Sequence, residues 1–157
     1  MIKKQKALIV GGSNGIGLAL AMRLVKKKPV LIVDKVEPDY SQVPLDIKHL
    51  VSFRKFDLLS DDYSLFDEFN DIDTLIITAG FGKLSLFEDM QEDTIVNMIS
   101  VNTISVLRII KHFYCNIHSG KPFYTAVMVS IAGFMSSPFF SVYGASKAAL
   151  KIFIESV

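Results

Sequence analysis

The sequence predicts an α/β fold, a doubly wound parallel sheet with helices on both faces. Three observations carry that prediction. Short strand-like runs, the first two wholly apolar, alternate with longer helical segments. A glycine cluster joins the first apolar run to the first helical one. No internal repeat or low-complexity linker divides the 157 residues, so residues 1–157 read as one domain with right-handed crossovers between strands.

Each element follows from its own pattern. Ala7 to Val10 is a fully apolar strand that ends at glycine, as expected when both faces are covered. Residues 15–27 repeat Ile16, Leu20 and Leu24 at helical spacing, with lysines at the end the helix dipole favours and Pro29 as a stop. Val30 to Val33 is a second strand and Val51 to Phe56 a third. Residues 60–69 are expected to be helical, with Ser60 or Asp61 as N-cap. Thr74 to Thr78 is the fourth strand and Phe123 to Ser130 the fifth. Between them residues 92–115 form a helix that is apolar nearly all round. Such a helix is either sandwiched inside its own chain or meets another subunit. A last helix starts at Ser141, and the sequence stops inside it.

Composition narrows the partners. Half of the residues are apolar and the net charge is +1, so the chain reads as globular, with no reason to expect nucleic acid or an anionic membrane. The basic group of Lys3, Lys4, Lys6, Arg23 and Lys26 to Lys28 reads as a solvated terminus and helix end rather than a binding stripe. Cys115 is the single cysteine, which excludes an intrachain disulfide and suits a reducing compartment. The apolar run at Ala7 is too short for a signal-peptide core, and no stretch is expected to reach bilayer-spanning length. A soluble, cytoplasmic protein follows as the expectation. His49, His112 and His118 show no ligand spacing, so no metal is expected.

The glycines of "VGGSNGIG" carry the first functional inference. In a doubly wound sheet the first strand-to-helix turn lies where ligands bind. Gly11 can take a backbone conformation closed to other residues, and bare Gly15 and Gly17 let a pyrophosphate approach the backbone and the helix pack close. The unpaired N–H groups of the helix's first turn would hold the phosphates. Asp34 ends the second strand, where a carboxylate accepts hydrogen bonds from a free 2′,3′-diol and repels a 2′-phosphate. NAD is favoured on that ground, and Lys35 next to it leaves NADP open.

Tyr143 and Lys147, four residues apart in "SVYGASKAAL", share a helix face. An ammonium beside a phenol stabilises the phenolate, which tunes the tyrosine for proton transfer. Such a pair also arises by chance, and its weight comes from company. "VGGSNGIG", "VNTIS", "VSIAG" and "YGASK" occur in order, with Ser130 thirteen residues before Tyr143. Together they resemble the short-chain dehydrogenase/reductase family, whose motifs are TGxxxGxG, a helix asparagine, a serine and YxxxK.

The resemblance implies a Rossmann-like sheet of strand order 3-2-1-4-5 and hydride transfer between a nicotinamide dinucleotide and a small alcohol or carbonyl substrate. It implies Tyr143 as general acid/base, Lys147 lowering its pKa and holding the nicotinamide ribose, Ser130 bonding the substrate oxygen, and Asn102 binding a water that links Lys147 to solvent. It places the cofactor on Gly11, Ser13, Asn14, Gly15, Ile16 and Gly17, on Asp34, Asp57 and Leu58, and on Ala79 and Gly80 with Tyr143 and Lys147. It also implies a homo-dimer or homo-tetramer built on the long helix and the YxxxK helix. Three departures stand out. The family's NNAG reads Ile77-Thr78-Ala79-Gly80, so the bracing asparagine amides are gone, and its first threonine is Val10. The strands that follow the YxxxK helix in the family are not in these 157 residues, so the chain reads as C-terminally incomplete, and a non-catalytic dinucleotide-binding or dimerising module is the alternative. Phe81 to Phe87 and Phe134 to Phe140 suggest only apolar surroundings for a substrate.

Overall fold

Alternate residues of the central strands sort into two apolar layers, one on each side of a parallel sheet. The computed structural model describes residues 6–135 and 137–157, so Lys3, Lys4 and Ser136 lie outside the described residues. Five strands, β1 (Lys6–Val10), β2 (Val30–Asp34), β3 (Val51–Lys55), β4 (Ile72–Ile77) and β5 (Tyr124–Val127), pair in the expected order β3-β2-β1-β4-β5. Leu8 stands beside Leu31 on one side and Leu75 on the other.

Odd positions of β1 and even positions of β2 face one helix. Ala7, Ile9, Val30 and Ile32 pack against Leu18, Ala21 and Val25 of α1 (Gly15–Leu24) and the residue after it. The opposite parity, Leu8, Val10, Leu31 and Val33, with Leu75 and Ile77 of β4, packs against Val106, Ile109, Ile110 and Phe113 of α3 (Ser105–Ile117) and Leu150 of α4 (Ser141–Ser156). Burying a Leu or Ile side chain in such a layer contributes about 1.5–3 kcal/mol.

Several boundaries depart from expectation for local reasons. α1 ends at Leu24, because the Lys27 and Lys28 N–H groups both turn back onto the Leu24 carbonyl. The Lys28 ammonium then reaches Asp73 and the Thr74 hydroxyl, while Lys6 pairs with Asp71 at 3.1 Å. Part of the basic group is therefore neutralised by acids around the start of β4. Residues 60–69 form no α-helix, only a 3-10 turn at Ser64–Glu68. The Ser60 hydroxyl accepts from the Asp62 N–H and the Asp62 carboxylate from the Ser64 N–H at 2.8 Å, local turns that compete with a helix.

The long helix runs from Glu92 to Ile117 in three parts: α2 (Glu92–Ile99), a π turn at Ser100–Ile104, and α3. At 26 residues and a mean hydropathy of 1.3 in its most apolar window it is long and apolar enough to cross a membrane, which corrects the expectation that no stretch is. Part of it is buried inside this chain, along a stripe that includes Met98, Asn102, Val106, Ile109 and Phe113, and a third of its most apolar window is covered. Val96, Ile104 and Tyr114 are exposed, so the helix is not sandwiched within the described residues.

Candidate active site

The C-terminal ends of β1, β2 and β4 open onto one cleft of about 350 Å³. Gly11, Asn14, Asp34, Asp57, Leu58, Ala79 and Gly80 line it, together with Lys35, Phe56, Leu59, Thr78 and Phe81. Seven of the expected cofactor residues thus meet at one place. Ser13, Gly15, Ile16 and Gly17 form the turn and first helical residues beside the cleft without lining it.

Two glycines of that turn are required by its shape. Gly11 sits at φ +85°, and a β-carbon on it would stand 2.4 Å from the Ala79 nitrogen. A β-carbon on Gly17 would stand 2.1 Å from the Gly11 carbonyl oxygen, so only glycine lets α1 rest on the turn. Asn14 gives α1 no side-chain cap, and the first turn carries no acid, which leaves its N–H groups to an outside anion. The Ser13 hydroxyl is buried and has no hydrogen-bond partner among the described residues.

The two acids of the cleft are each held by more than one hydrogen-bond donor. Asp34 accepts from the Ser13 N–H at 3.0 Å and from the Lys35 N–H at 2.7 Å. Asp57 accepts from the Leu59 N–H at 3.0 Å, and its other oxygen meets the Lys35 ammonium at 2.8 Å. The lysine hydrogen bond, then the Leu59 N–H, hold the Asp57 carboxyl below its ordinary 3.8.

Three of the four expected catalytic residues, Asn102, Tyr143 and Lys147, sit around the segment after β4. A β-carbon on Gly80 would lie 3.0 Å from Asn102 Oδ1 and 3.3 Å from Lys147 Nζ, and one on Gly82 would lie 3.1 Å from the Tyr143 ring. Lys147 is buried and donates to the Met128 carbonyl at 2.9 Å; burial pushes its ammonium below the ordinary 10.5. Ser130 starts a 3-10 turn at Ile131–Gly133, its hydroxyl accepting from the Ala132 N–H at 3.2 Å. That turn packs on α4, since a β-carbon on Gly133 would stand 2.9 Å from the Lys147 carbonyl carbon.

Asn102 and three polar residues to which the motifs gave no role, Thr78, Thr103 and Ser146, hold this arrangement together. Asn102, fully buried in the π turn, donates to the Phe81 carbonyl at 2.8 Å and accepts from the Phe81 N–H at 2.9 Å. Its second N–H goes to the hydroxyl of Ser146 at 3.0 Å, which donates to the Tyr143 carbonyl at 2.7 Å. The Thr103 hydroxyl bonds the Ser146 carbonyl at 2.9 Å. Thr78, at the second asparagine position of the family motif, donates to the Gly11 carbonyl at 2.9 Å and so braces β4 against the glycine turn. Ser146 could have been noticed as a small polar residue inside "YGASK"; nothing in the local sequence points to its partner.

The chain has relatives over most of its length. The short chain dehydrogenase family model matches residues 5–157. An uncharacterized short-chain type dehydrogenase/reductase of Sinorhizobium fredii, y4eK, is 32% identical across 100% of this chain and 64% of its own length. An uncharacterized oxidoreductase of Saccharomyces cerevisiae is 26% identical across 94% of this chain and 50% of its own. This chain thus spans about half to two-thirds of the length of these relatives. Among solved structures, a 3-oxoacyl-[acyl-carrier protein] reductase from Brucella melitensis in complex with NAD superposes with a TM-score of 0.81 at 24% identity, covering 99% of this chain and 67% of that one. ElxO with NADP bound superposes with a TM-score of 0.82 at 21% identity, covering 96% and 65%. With its strand order, its glycine turn and the family model running from residue 5 to 157, this chain belongs to the short-chain dehydrogenase family.

Proposed function

We propose that the chain holds a nicotinamide dinucleotide along the cleft and serves oxidoreduction of an alcohol or carbonyl substrate beside Tyr143. The observation that carries this reading is the convergence of Gly11, Asn14, Asp34, Asp57, Leu58, Ala79 and Gly80 on one cleft. The buried Ser13 hydroxyl, without a partner among the described residues, and the uncapped start of α1 fit a pyrophosphate, and Asp34 fits a ribose diol. When bound, the nicotinamide supplies the hydride donor or acceptor.

The remaining chemistry belongs to the chain's own side chains. Tyr143 moves the proton at the substrate oxygen. Lys147 favours the phenolate by its charge and binds the ribose. Ser130 accepts from Ala132, which leaves its own O–H to donate to the substrate oxygen. Asn102 is clamped to Phe81 and Ser146 and keeps one Oδ1 lone pair for a water toward Lys147. Asp34 favours NAD over NADP. A two-fold pairing through the long helix and α4 belongs to the same reading, and the exposed Val96, Ile104 and Ile152 suit it. Cys115 is a free, exposed thiol, which suits a reducing, cytoplasmic setting.

The test is a titration of the chain with NADH, and in parallel NADPH, following the cofactor's own emission, then turnover with a panel of alcohols and ketones. Tyr143→Phe should leave binding intact and lower turnover by roughly 10²-fold or more. Equal turnover in that variant would remove Tyr143 from its role. Saturable binding with no turnover would identify a dinucleotide-binding module instead.

A further inference from the structure

We propose that Asp57 sets the choice between the two dinucleotides by holding the Lys35 ammonium away from a 2′-phosphate. The inference rests on the reading of the cleft as a dinucleotide site. The sheet register builds the device: Asp34 pairs with Lys55, and the Phe56 N–H extends that ladder onto the Asp34 carbonyl. Residues 56 and 57 are thereby carried alongside Lys35 at the mouth of the cleft.

Lys35 is anchored at both ends. Its N–H bonds Asp34 at 2.7 Å and its ammonium bonds Asp57 at 2.8 Å. All three side chains line the cleft, so its charged lining carries two carboxylates and one ammonium. A free ribose hydroxyl meets Asp34 as an acceptor. A phosphate at that position meets net negative charge, and the one cation that would receive it is committed to Asp57. Removing the Asp57 charge frees that cation to meet the phosphate. Since the pair is solvent-accessible, with side chains 66% and 44% exposed, the effect is modest and measurable.

Affinities for NADH and NADPH are measured by cofactor emission in the wild-type chain, Asp57→Asn, Lys35→Met and the double variant. The ratio of the two affinities is the readout, because any loss common to both cofactors cancels in it. Asp57→Asn should move the ratio toward NADPH by about 3- to 5-fold. Lys35→Met should move it toward NADH. In the Lys35→Met background, Asp57→Asn should leave the ratio nearly unchanged. An unchanged ratio in Asp57→Asn overturns the proposal. So does the same shift with and without Lys35, since the carboxylate would then act by direct repulsion rather than through the lysine. A wild-type chain that binds neither dinucleotide removes the reading of the cleft itself, an outcome distinct from binding with an unshifted ratio.

Discussion

Lys147 is an ammonium that is 3% exposed and has the Met128 carbonyl as its hydrogen-bond acceptor. Burial lowers its pKa from 10.5, so the charged form is less favourable folded than unfolded. Below the folded pKa both states are protonated and the cost of burying the charge is fully felt. As pH rises from that value toward 10.5, the native state releases its proton first, the unfolded chain binds more protons, and stability rises. Lys147→Met should abolish this component. Urea midpoints for both proteins across the alkaline range check it: the wild-type curve should gain on the variant as pH rises, and parallel curves would contradict the argument. The same residue scale accounts for Thr78. The sequence shows the loss of the family's asparagines, and the fold shows a hydroxyl that reaches the Gly11 carbonyl in their place.

Between β3 and β4 an element has been exchanged for an anchor. With no α-helix over 60–69, the crossover is fixed by Phe66, which is 1% exposed and meets the rings of Phe56, Phe69 and Phe113 edge-on at 5.3, 5.7 and 6.3 Å. Arg108 of α3 closes the cluster over the Tyr63 ring and donates to the Ser60 carbonyl. Phe66→Ala should cost about 3–5 kcal/mol, read as a drop in the urea midpoint at unchanged slope. A loss below 1 kcal/mol would mean the turn repacks around the gap. The long helix shows the same logic in its interior. Its π turn lies at Asn102, and π turns of this kind often mark functional positions. Here Asn102 is tied to the Phe81 backbone and to Ser146 in α4.

At the scale of the molecule, the cleft draws on chain segments separated by most of the fold: the turns after β1, β2, β3 and β4 all contribute. A ligand seated there should therefore stabilise the whole domain rather than one loop. NADH at 100 times its dissociation constant should add about 2.7 kcal/mol, which for a domain of this size raises Tm by about 5–10 °C. Thermal unfolding with and without NADH checks this. Binding without a rise in Tm would mean that NADH binds the unfolded chain as well as the folded one, which no folded cleft predicts. β5 forms one edge of the described sheet, with Tyr124 68% exposed, and Leu150 of α4 belongs to the apolar cluster on one face of that sheet.

The sequence by itself determined what depends on local period and on residue type. Four-residue apolar runs made β1 and β2, the 3.6-residue repeat made α1, an apolar stretch at 92–115 announced the long helix, and glycine at positions 11 and 17 made a turn no other residue could close. The ordered motifs determined the family and the strand order, and they named seven of the residues that line the cleft. Tertiary structure decided the rest, because the deciding partners are distant in the chain. Ser146 meets Asn102 across 44 residues, and Lys35 meets Asp57 through a parallel register that no local pattern encodes. The expected helix at 60–69 was lost to side chains that bond their own backbone and to a phenylalanine drawn into the core. Periodicity reports which face of an element is apolar; which polar groups meet across the fold depends on packing, and packing exists only once the sheet has formed.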